Sequence, residues 1–196
     1  MNSALLSLLH YANDLKQLPR TGWLLAGLPY AESIADHSYV TALLAFALAQ
    51  AINEDPTAQG LSQPLDVGRT LQIALIHDLA ESVVTDLPRR TTTLLGEEVK
   101  HDAETRALAQ MTAGLGDGAQ WMTLLDEYNR GSTPEALLVR DADKLEMAHQ
   151  ALRYRRSGFV DVLEFAAPRP WAFPLTAALH AELWDAIHGG DGERAS

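Results

Sequence analysis

Apolar residues recur at intervals of three and four along most of this chain, and that spacing limits its fold more than any other feature. Near the start, Leu5, Leu8, Leu9 and Leu15 follow it, and the stretch that ends at Ile52 is apolar almost all round. Such spacing places side chains on one face of a helix, whereas a strand needs alternation. No window of five or more residues alternates between turn signals. The sequence therefore predicts an all-α fold with about seven or eight helices.

Residues typical of helix ends divide the chain into segments. Ser33, Asp66 and Thr133 are suited to cap helices, and Pro134 suits a first helical position. We expect helices over 3–16, 34–52, 67–83, 96–113, 119–129, 134–156 and 174–188. The segment LPRTGWLLAGLPY is predicted to be irregular because glycine and proline interrupt it, and 53–64 is predicted to be a loop.

Length and composition point to an ordinary globular protein. The 196 residues suit one domain, with its core over about 5–160 and a C-terminal helical extension at 174–188. With 15 basic and 26 acidic residues the net charge is −11, which argues against binding to a long nucleic acid. The chain has no cysteine, so a metal would be held by His, Asp and Glu. No signal peptide and no membrane span is recognised, so a cytoplasmic protein is expected.

The dipeptide His-Asp occurs twice, so the dipeptide alone carries no weight. His77-Asp78 ends the apolar run LQIALI, where burial of both side chains is costly unless something pairs with them. His101-Asp102 lies in the charged stretch EEVKHDAETR, where both side chains can point to water. The first pair is therefore the candidate for chemistry, and the second is interpreted as a solvated face.

Two further polar residues interrupt apolar helices in the same way. His37 opens the apolar helix that follows Ser33, and Asp143 interrupts an apolar stripe of a later helix. Each alone is commonly a satisfied buried histidine or half of a salt bridge. Together with His77 and Asp78 they form a mixed nitrogen and oxygen set that suits one divalent ion with open coordination positions. The sequence thus predicts a catalytic metal site at His37, His77, Asp78 and Asp143.

Two acidic residues follow the His-Asp pair. Glu81 lies four residues after His77, on the same face if the helix continues, and could orient an attacking water or move its proton. Asp86 lies just past the expected helix end and could act likewise or hold a substrate sugar. The alternative interpretations are a surface acid for Glu81 and a turn-capping residue for Asp86.

The order His37, His77-Asp78, Asp143 on an all-helical chain resembles the HD-domain phosphohydrolase superfamily. The segments LKQLPRTGW, ESIADHSY, ALIHDLAESVVTDLP and LVRDADKLEMAHQA resemble the HD-type 5′-deoxynucleotidases in particular, over roughly residues 5–160. The resemblance implies a compact helical bundle, usually a homodimer, that hydrolyses deoxyribonucleoside 5′-monophosphates. It also implies one divalent cofactor, cobalt or manganese first, with zinc, magnesium, nickel and iron as alternatives.

The resemblance further implies roles for individual residues. Glu81 would work with the water, and Asp86 would lie on the substrate side. We expect Arg20, with Arg89, to grip the phosphate and Trp23 to pack on the sugar. In the bacterial enzymes the arginine directly precedes the tryptophan, whereas here Gly22 stands before Trp23 and the arginine lies at position 20.

Two rival functions remain open at this point. An alarmone pyrophosphohydrolase would share the ligand pattern, but those enzymes carry an acidic pair where Glu81 is followed here by Ser82. A catalytically inert nucleotide-binding module would typically have lost a ligand, and all four are present. For a second metal, His149 points elsewhere, about 240° round the helix from Asp143, which leaves His101 as a weak candidate.

Overall fold

A computed structural model describes residues 2–159 and 161–189 of the chain. The α-helices are α1 (Asn2–Asp14), α2 (Thr21–Leu25), α3 (Ile34–Glu54), α4 (Val67–Ile76), α5 (Glu81–Val84), α6 (Arg89–Leu95), α7 (Glu97–Met111), α8 (Gly118–Arg130), α9 (Pro134–Arg156) and α10 (Pro174–Gly189). Short 3-10 helices lie at Thr57–Gln59 and Leu163–Ala166. Within the described ranges there is no strand, so the all-α prediction is confirmed, and seven of these helices reach ten residues.

The predicted caps begin the long helices. At α3 the Ser33 hydroxyl accepts the N–H of Asp36, and the Asp36 carboxylate accepts the N–H of Ser33 in return. Asp66 accepts from the N–H of Arg69 at the start of α4. Thr133 caps α9 through the N–H of Ala136, with Pro134 at the first position. Local side chains thus satisfy amides that a helix leaves unpaired.

The core lies between α3, α4 and α9, which pack against one another, with α8 and α10 covering α9. Ile52, Ile73 and Leu138 are fully buried there. A second apolar cluster surrounds Trp23 and joins α2 to the end of α9. Helices α3, α4 and α9 also carry polar residues of the site described below. Nowhere in the described part of the chain is a helix long and apolar enough to cross a membrane.

The helix predicted over 67–83 is interrupted, which corrects the sequence analysis. Helix α4 ends at Ile76 and α5 begins at Glu81. Between them the backbone makes bonds to the third residue back, from Leu79 N to Ile76 O and from Glu81 N to Asp78 O. This tighter turn lets His77 and Asp78 leave the axis of α4 toward one point.

The expectation that LPRTGWLLAGLPY is irregular is also wrong in part, because residues 21–25 form α2. The carboxylate of Asp86 accepts the N–H of Thr21 at 2.5 Å, and the backbone oxygen of Asp86 accepts the Thr21 hydroxyl at 2.9 Å. The start of α2 is thus capped by a residue that lies far away in sequence. A second unpredicted helix is α6.

Candidate metal centre

The four predicted ligands come from three helices and meet in the interior. His37 lies in the first turn of α3, His77 ends α4, Asp78 follows it, and Asp143 lies in the middle of α9. Their exposed fractions are 0%, 3%, 9% and 5%. Nε2 of His37 lies 3.6 Å from Oδ2 of Asp78 and 3.3 Å from Oδ1 of Asp143. Residues far apart in sequence thus lie side by side in the interior, with His37 between the two carboxylates.

His77 carries the clearest sign of a missing partner. Its Nδ1 lies 2.7 Å from the backbone oxygen of Ala74, so Nδ1 carries the proton and Nε2 is the acceptor. This buried Nε2 has no hydrogen-bond partner among the residues that the structure describes, although it lies 3.4 Å from Asp78 Oδ2. A carboxylate oxygen cannot donate to it. The lone pair is available to a cation.

The spacing of the donor atoms fits an ion. One ligand atom each of His37, His77 and Asp78 lies within 4.8 Å of the others, and Asp78 Oδ2 is 3.4 Å from His77 Nε2 and 3.6 Å from His37 Nε2. Asp143 adjoins this group through its 3.3 Å contact with His37. Bonds of about 2.0–2.2 Å at tetrahedral or octahedral angles separate neighbouring donors by about 2.8–3.6 Å. Two imidazole nitrogens and two carboxylates are suited to a borderline divalent metal.

Charges around the centre keep its carboxylates ionised. Burial by itself raises the pKa of Asp143, yet Lys144 and the hydrogen bond from His37 hold that pKa well below its usual range. Burial likewise opposes ionisation of Asp78, but His77 and Arg20 lower the pKa of Asp78. Both side chains are therefore present as the anions that a metal requires.

Without a metal, the carboxylates of Asp143 and Glu146 raise the pKa of His37. Burial alone lowers the pKa of His37, as does the charge of Arg20, but hydrogen bonds with Asp143 and Glu146 raise it to about 9. The carboxylates around His37 thus favour a positive charge on or beside its ring. A proton on His37 Nε2 and a divalent ion would compete for it.

Glu81 lies beside the centre at the start of α5. Its side chain is buried, and its Oε2 has no hydrogen-bond partner in the described part of the chain. Burial, and then the nearby charge of Asp78, raise the pKa of Glu81 well above its usual range. A buried carboxyl group whose pKa is raised in this way is suited to hold a proton and to exchange it with a neighbouring group. The alternative of a solvated surface acid is therefore wrong.

Of the two predicted phosphate-binding arginines, only Arg20 contacts one of the four predicted ligands. The guanidinium of Arg20 is buried, and its Nη1 donates to Oδ2 of Asp78 at 2.9 Å. Asp86 holds the adjacent Thr21, as described above, which is the turn-capping role left open by the sequence. Arg89 is exposed at the start of α6.

Trp23 is placed differently from the expectation. It is 1% exposed, its ring lies against Phe165 and Tyr154 at centroid distances of 4.2 and 5.2 Å, and its Nε1 donates to Glu32 at 2.8 Å. No face of the indole is free to pack on a sugar in this arrangement. The side chain instead fixes α2 and Glu32.

The second His-Asp pair lies on the surface of α7, as interpreted from its charged surroundings. His101 is 3.7 Å from the exposed Glu97, and Asp102 pairs with Arg106 at 2.9 Å. His101 belongs to none of the metal-competent groups found in the described residues. The structure gives no support to a second metal at this position.

Several residues at the centre were missed by the sequence analysis. The Tyr128 hydroxyl donates to Oδ2 of Asp143 at 3.0 Å, and Oε2 of Glu146 lies 2.5 Å from Nδ1 of His37. On α7, Lys100 pairs with the buried Glu104 at 3.3 Å. Burial lowers the pKa of Lys100, but the charges of Glu104, Glu81 and Asp78 outweigh that effect and raise the pKa above its ordinary value. Glu146 could have been found from its position three residues after Asp143, which puts it on the same face of α9. Tyr128 and Lys100 carry no such signal.

An all-helical fold with a buried His/Asp centre suited to a divalent ion defines the class of this protein. The family model described as HD domain matches residues 12–167, and the chain belongs to the HD domain family.

The chain is also similar to relatives whose names state an activity. The chain is similar to the 5′-deoxynucleotidase hdd1 of Schizosaccharomyces pombe, with 36% identity over 169 residues, covering 82% of this chain and 76% of the relative. It is 32% identical to the human 5′-deoxynucleotidase HDDC2 over 190 residues, covering 91% and 86%. Among solved structures, a conserved hypothetical protein from Pyrococcus furiosus matches with a TM-score of 0.70 and 38% identity, covering 82% of this chain and 84% of that protein.

Proposed function

We propose that this protein is a metal-dependent 5′-deoxynucleotidase, which hydrolyses deoxyribonucleoside 5′-monophosphates to the nucleoside and phosphate. The observation that carries the proposal is the unpartnered Nε2 of His77, buried beside the carboxylate of Asp78. The names of the relatives supply the substrate class, because both are 5′-deoxynucleotidases and both are matched over most of their length.

We assign His37, His77, Asp78 and Asp143 as the residues that hold one divalent ion. Their donors, two imidazoles and two carboxylates, suit a borderline divalent ion. The resemblance to the HD-type 5′-deoxynucleotidases implies cobalt or manganese, with zinc, magnesium, nickel or iron as alternatives. When bound, such an ion lowers the pKa of a water molecule and neutralises charge on the phosphoryl group. The four side chains leave coordination positions for substrate, as a catalytic site requires.

Glu81 is the group proposed to handle the proton of the attacking water. Its free Oε2 is buried beside the centre, and this carboxyl group is the one proposed to take a proton from water and return it to the leaving nucleoside oxygen. Burial also keeps the carboxyl group from pairing with bulk water.

Arg20 is proposed to bind the substrate phosphate. Its guanidinium is held at the centre by Asp78, and its remaining N–H groups suit a phosphate oxygen. Asp86 positions this arginine, because it caps α2 directly after residue 20. Arg89 is proposed as a second, more exposed contact to the phosphate. Trp23 is proposed to hold α2 in place through its buried packing, and not to touch the sugar.

Three further expectations complete the proposal. The partner is a small nucleotide and not a nucleic acid, because a net charge of −11 repels a long polyanion. The resemblance to the family implies a homodimer, and a cytoplasmic location is expected. The homodimer is tested by light scattering of the purified protein.

A substrate screen tests the proposal. Deoxy- and ribonucleoside 5′-monophosphates and a guanosine tetraphosphate alarmone are incubated with the protein and cobalt or manganese, and released phosphate or pyrophosphate is measured. We expect phosphate from the deoxynucleotides. Pyrophosphate from the alarmone alone would indicate the alarmone hydrolase, and binding without turnover would indicate the inert module.

A further inference from the structure

A second group of polar side chains lies behind His37, on the side opposite the metal centre. Oε2 of Glu146 is 2.5 Å from Nδ1 of His37, and the side chains are 4% and 0% exposed. An ionised carboxylate only accepts hydrogen bonds, so Nδ1 carries the proton in this contact. Nε2, at the opposite side of the ring, faces Asp143 Oδ1 at 3.3 Å.

Helix α9 supplies the carboxylates on both sides of the His37 ring. Asp143 and Glu146 are three residues apart and lie on one face of the helix. Asp143 reaches the metal-facing nitrogen of His37, and Glu146 reaches the opposite nitrogen. The imidazole of α3 is therefore held between two carboxylates of one rigid element.

Glu32 lies between the Glu146–His37 contact and the second apolar cluster around Trp23. A carboxylate oxygen of Glu32 lies within 4.8 Å of the ligand atoms of Glu146 and His37. Glu32 is itself fixed, since its Oε1 accepts from Trp23 Nε1 at 2.8 Å and its N–H donates to the hydroxyl of Tyr154 at 2.8 Å. A fixed Glu32 thus lies next to the contact between Glu146 and His37.

We propose that Glu146 is a positioning residue of the metal centre, which fixes the ring of His37 through Nδ1 and thereby presents Nε2 to the ion. This inference rests on the metal site proposed above. Glu146 touches neither substrate nor ion, and it acts through His37. Such outer carboxylates typically change metal affinity by about ten- to hundredfold when they are removed.

The affinity of the full-length protein for Mn²⁺, measured by calorimetry, tests this role in Glu146→Ala and Glu146→Gln. The alanine variant leaves Nδ1 unpaired, and we expect it to bind Mn²⁺ about ten- to hundredfold more weakly. Glutamine can still accept from Nδ1 through its oxygen, so a smaller loss is expected.

Glu127→Gln is the matched control. Glu127 is also a buried carboxylate, but it pairs with Arg69 and contacts Thr133, away from the four ligands. We expect this variant to lose thermal stability and to keep the Mn²⁺ affinity of the wild type.

A second measurement needs neither metal nor substrate. In the metal-free protein, the short bond to Glu146 should move the Nδ1 proton of His37 far downfield in the NMR spectrum. We expect this resonance in the wild type and in Glu127→Gln, and its loss in Glu146→Ala. If the alanine variant does not fold, the positioning role of Glu146 is tested by the position of the resonance and the Mn²⁺ affinity in Glu146→Gln.

Wild-type Mn²⁺ affinity in folded Glu146→Ala, or an unshifted resonance with wild-type affinity in Glu146→Gln, would overturn the inference. Asp143→Asn separates this failure from that of the metal site. If Asp143→Asn loses Mn²⁺ and the Glu146 variants do not, only the positioning role is wrong. If Asp143→Asn also retains Mn²⁺, the ligand assignment is wrong.

Discussion

A neutral imidazole has one nitrogen that donates a hydrogen bond and one that accepts. In His77 the donating Nδ1 is used by the backbone oxygen of Ala74, and the accepting Nε2 is buried without a partner in the described residues. A buried polar atom left unpaired costs about 1–3 kcal/mol. The residue is thus unfavourable for the protein alone and favourable once an ion takes the lone pair.

The two His-Asp pairs give a matched experiment on this residue. We expect His77→Asn to reduce phosphate release from a deoxynucleoside monophosphate by more than about a hundredfold, because a ligand is lost. His101→Asn should keep the wild-type rate, since His101 only contacts the exposed Glu97. Equal losses in the two variants, measured with saturating manganese, would contradict the assignment.

Glu81 lies outside the ligand set, so its role can be separated from metal binding. Glutamine fills the same space but cannot take or return a proton. We expect Glu81→Gln to lower kcat by about 10²- to 10⁴-fold and to leave the affinity for Mn²⁺ within a few fold. Glu97→Gln, on an exposed side chain, is the control and should change neither quantity. A parallel loss of Mn²⁺ binding would instead make Glu81 a ligand.

Single residues of the centre were predictable where they violate the pattern of their helix. His37 and Asp143 stand in apolar surroundings, and the structure places them 3.3 Å apart. Glu146 shares the helix face of Asp143, so its position was predictable, but its contact with His37 depends on the packing of α9 against α3. Trp23 was assigned to a sugar from resemblance, and its burial against Phe165 gives it a different task.

At the scale of elements, the break between α4 and α5 makes the centre. In one continuous helix, adjacent residues diverge by about 100°, so His77 and Asp78 would point apart. The 3-10 turn after Ile76 brings His77 Nε2 and Asp78 Oδ2 to 3.4 Å. Apolar periodicity predicts the helix but not this interruption, because both conformations keep the same residues inside.

Helix α2 was missed for a related reason. Its sequence contains Gly22 and is preceded by Pro19, which are local signals against a helix. The cap comes from Asp86, 65 positions later, and no local pattern contains it. In contrast, Ser33 and Thr133 cap their own helices and were predictable.

The Asp86 contact predicts an effect on substrate binding. Asp86→Ala removes the cap of α2, at a cost of about 0.5–2 kcal/mol in stability, and loosens the neighbouring Arg20. We expect KM for the deoxynucleotide to rise several fold, with a smaller change in kcat. Asp66→Ala removes a cap from α4, outside the site, and should lower stability with KM unchanged. A fall in kcat alone in Asp86→Ala would place Asp86 in the chemical step.

At the scale of the whole molecule, the centre joins segments that are far apart in the chain. Its ligands lie on α3, at the end of α4 and on α9, which are also the helices that form the core. This layout was predictable only as a set of buried helices, since their mutual packing depends on contacts between distant residues. A metal held there is present only when these helices are packed together.

Metal binding should therefore stabilise the fold measurably. A ligand that binds only the folded state, at a hundred times its Kd, adds about 2.7 kcal/mol. For a chain of this length, that corresponds to an increase in Tm of roughly 5–11 °C. We expect thermal unfolding followed by circular dichroism to show this increase when manganese is added to chelator-treated protein. Asp143→Asn should show little or no increase, because one carboxylate ligand is gone. An increase of the same size in this variant would mean that manganese stabilises the protein from another site.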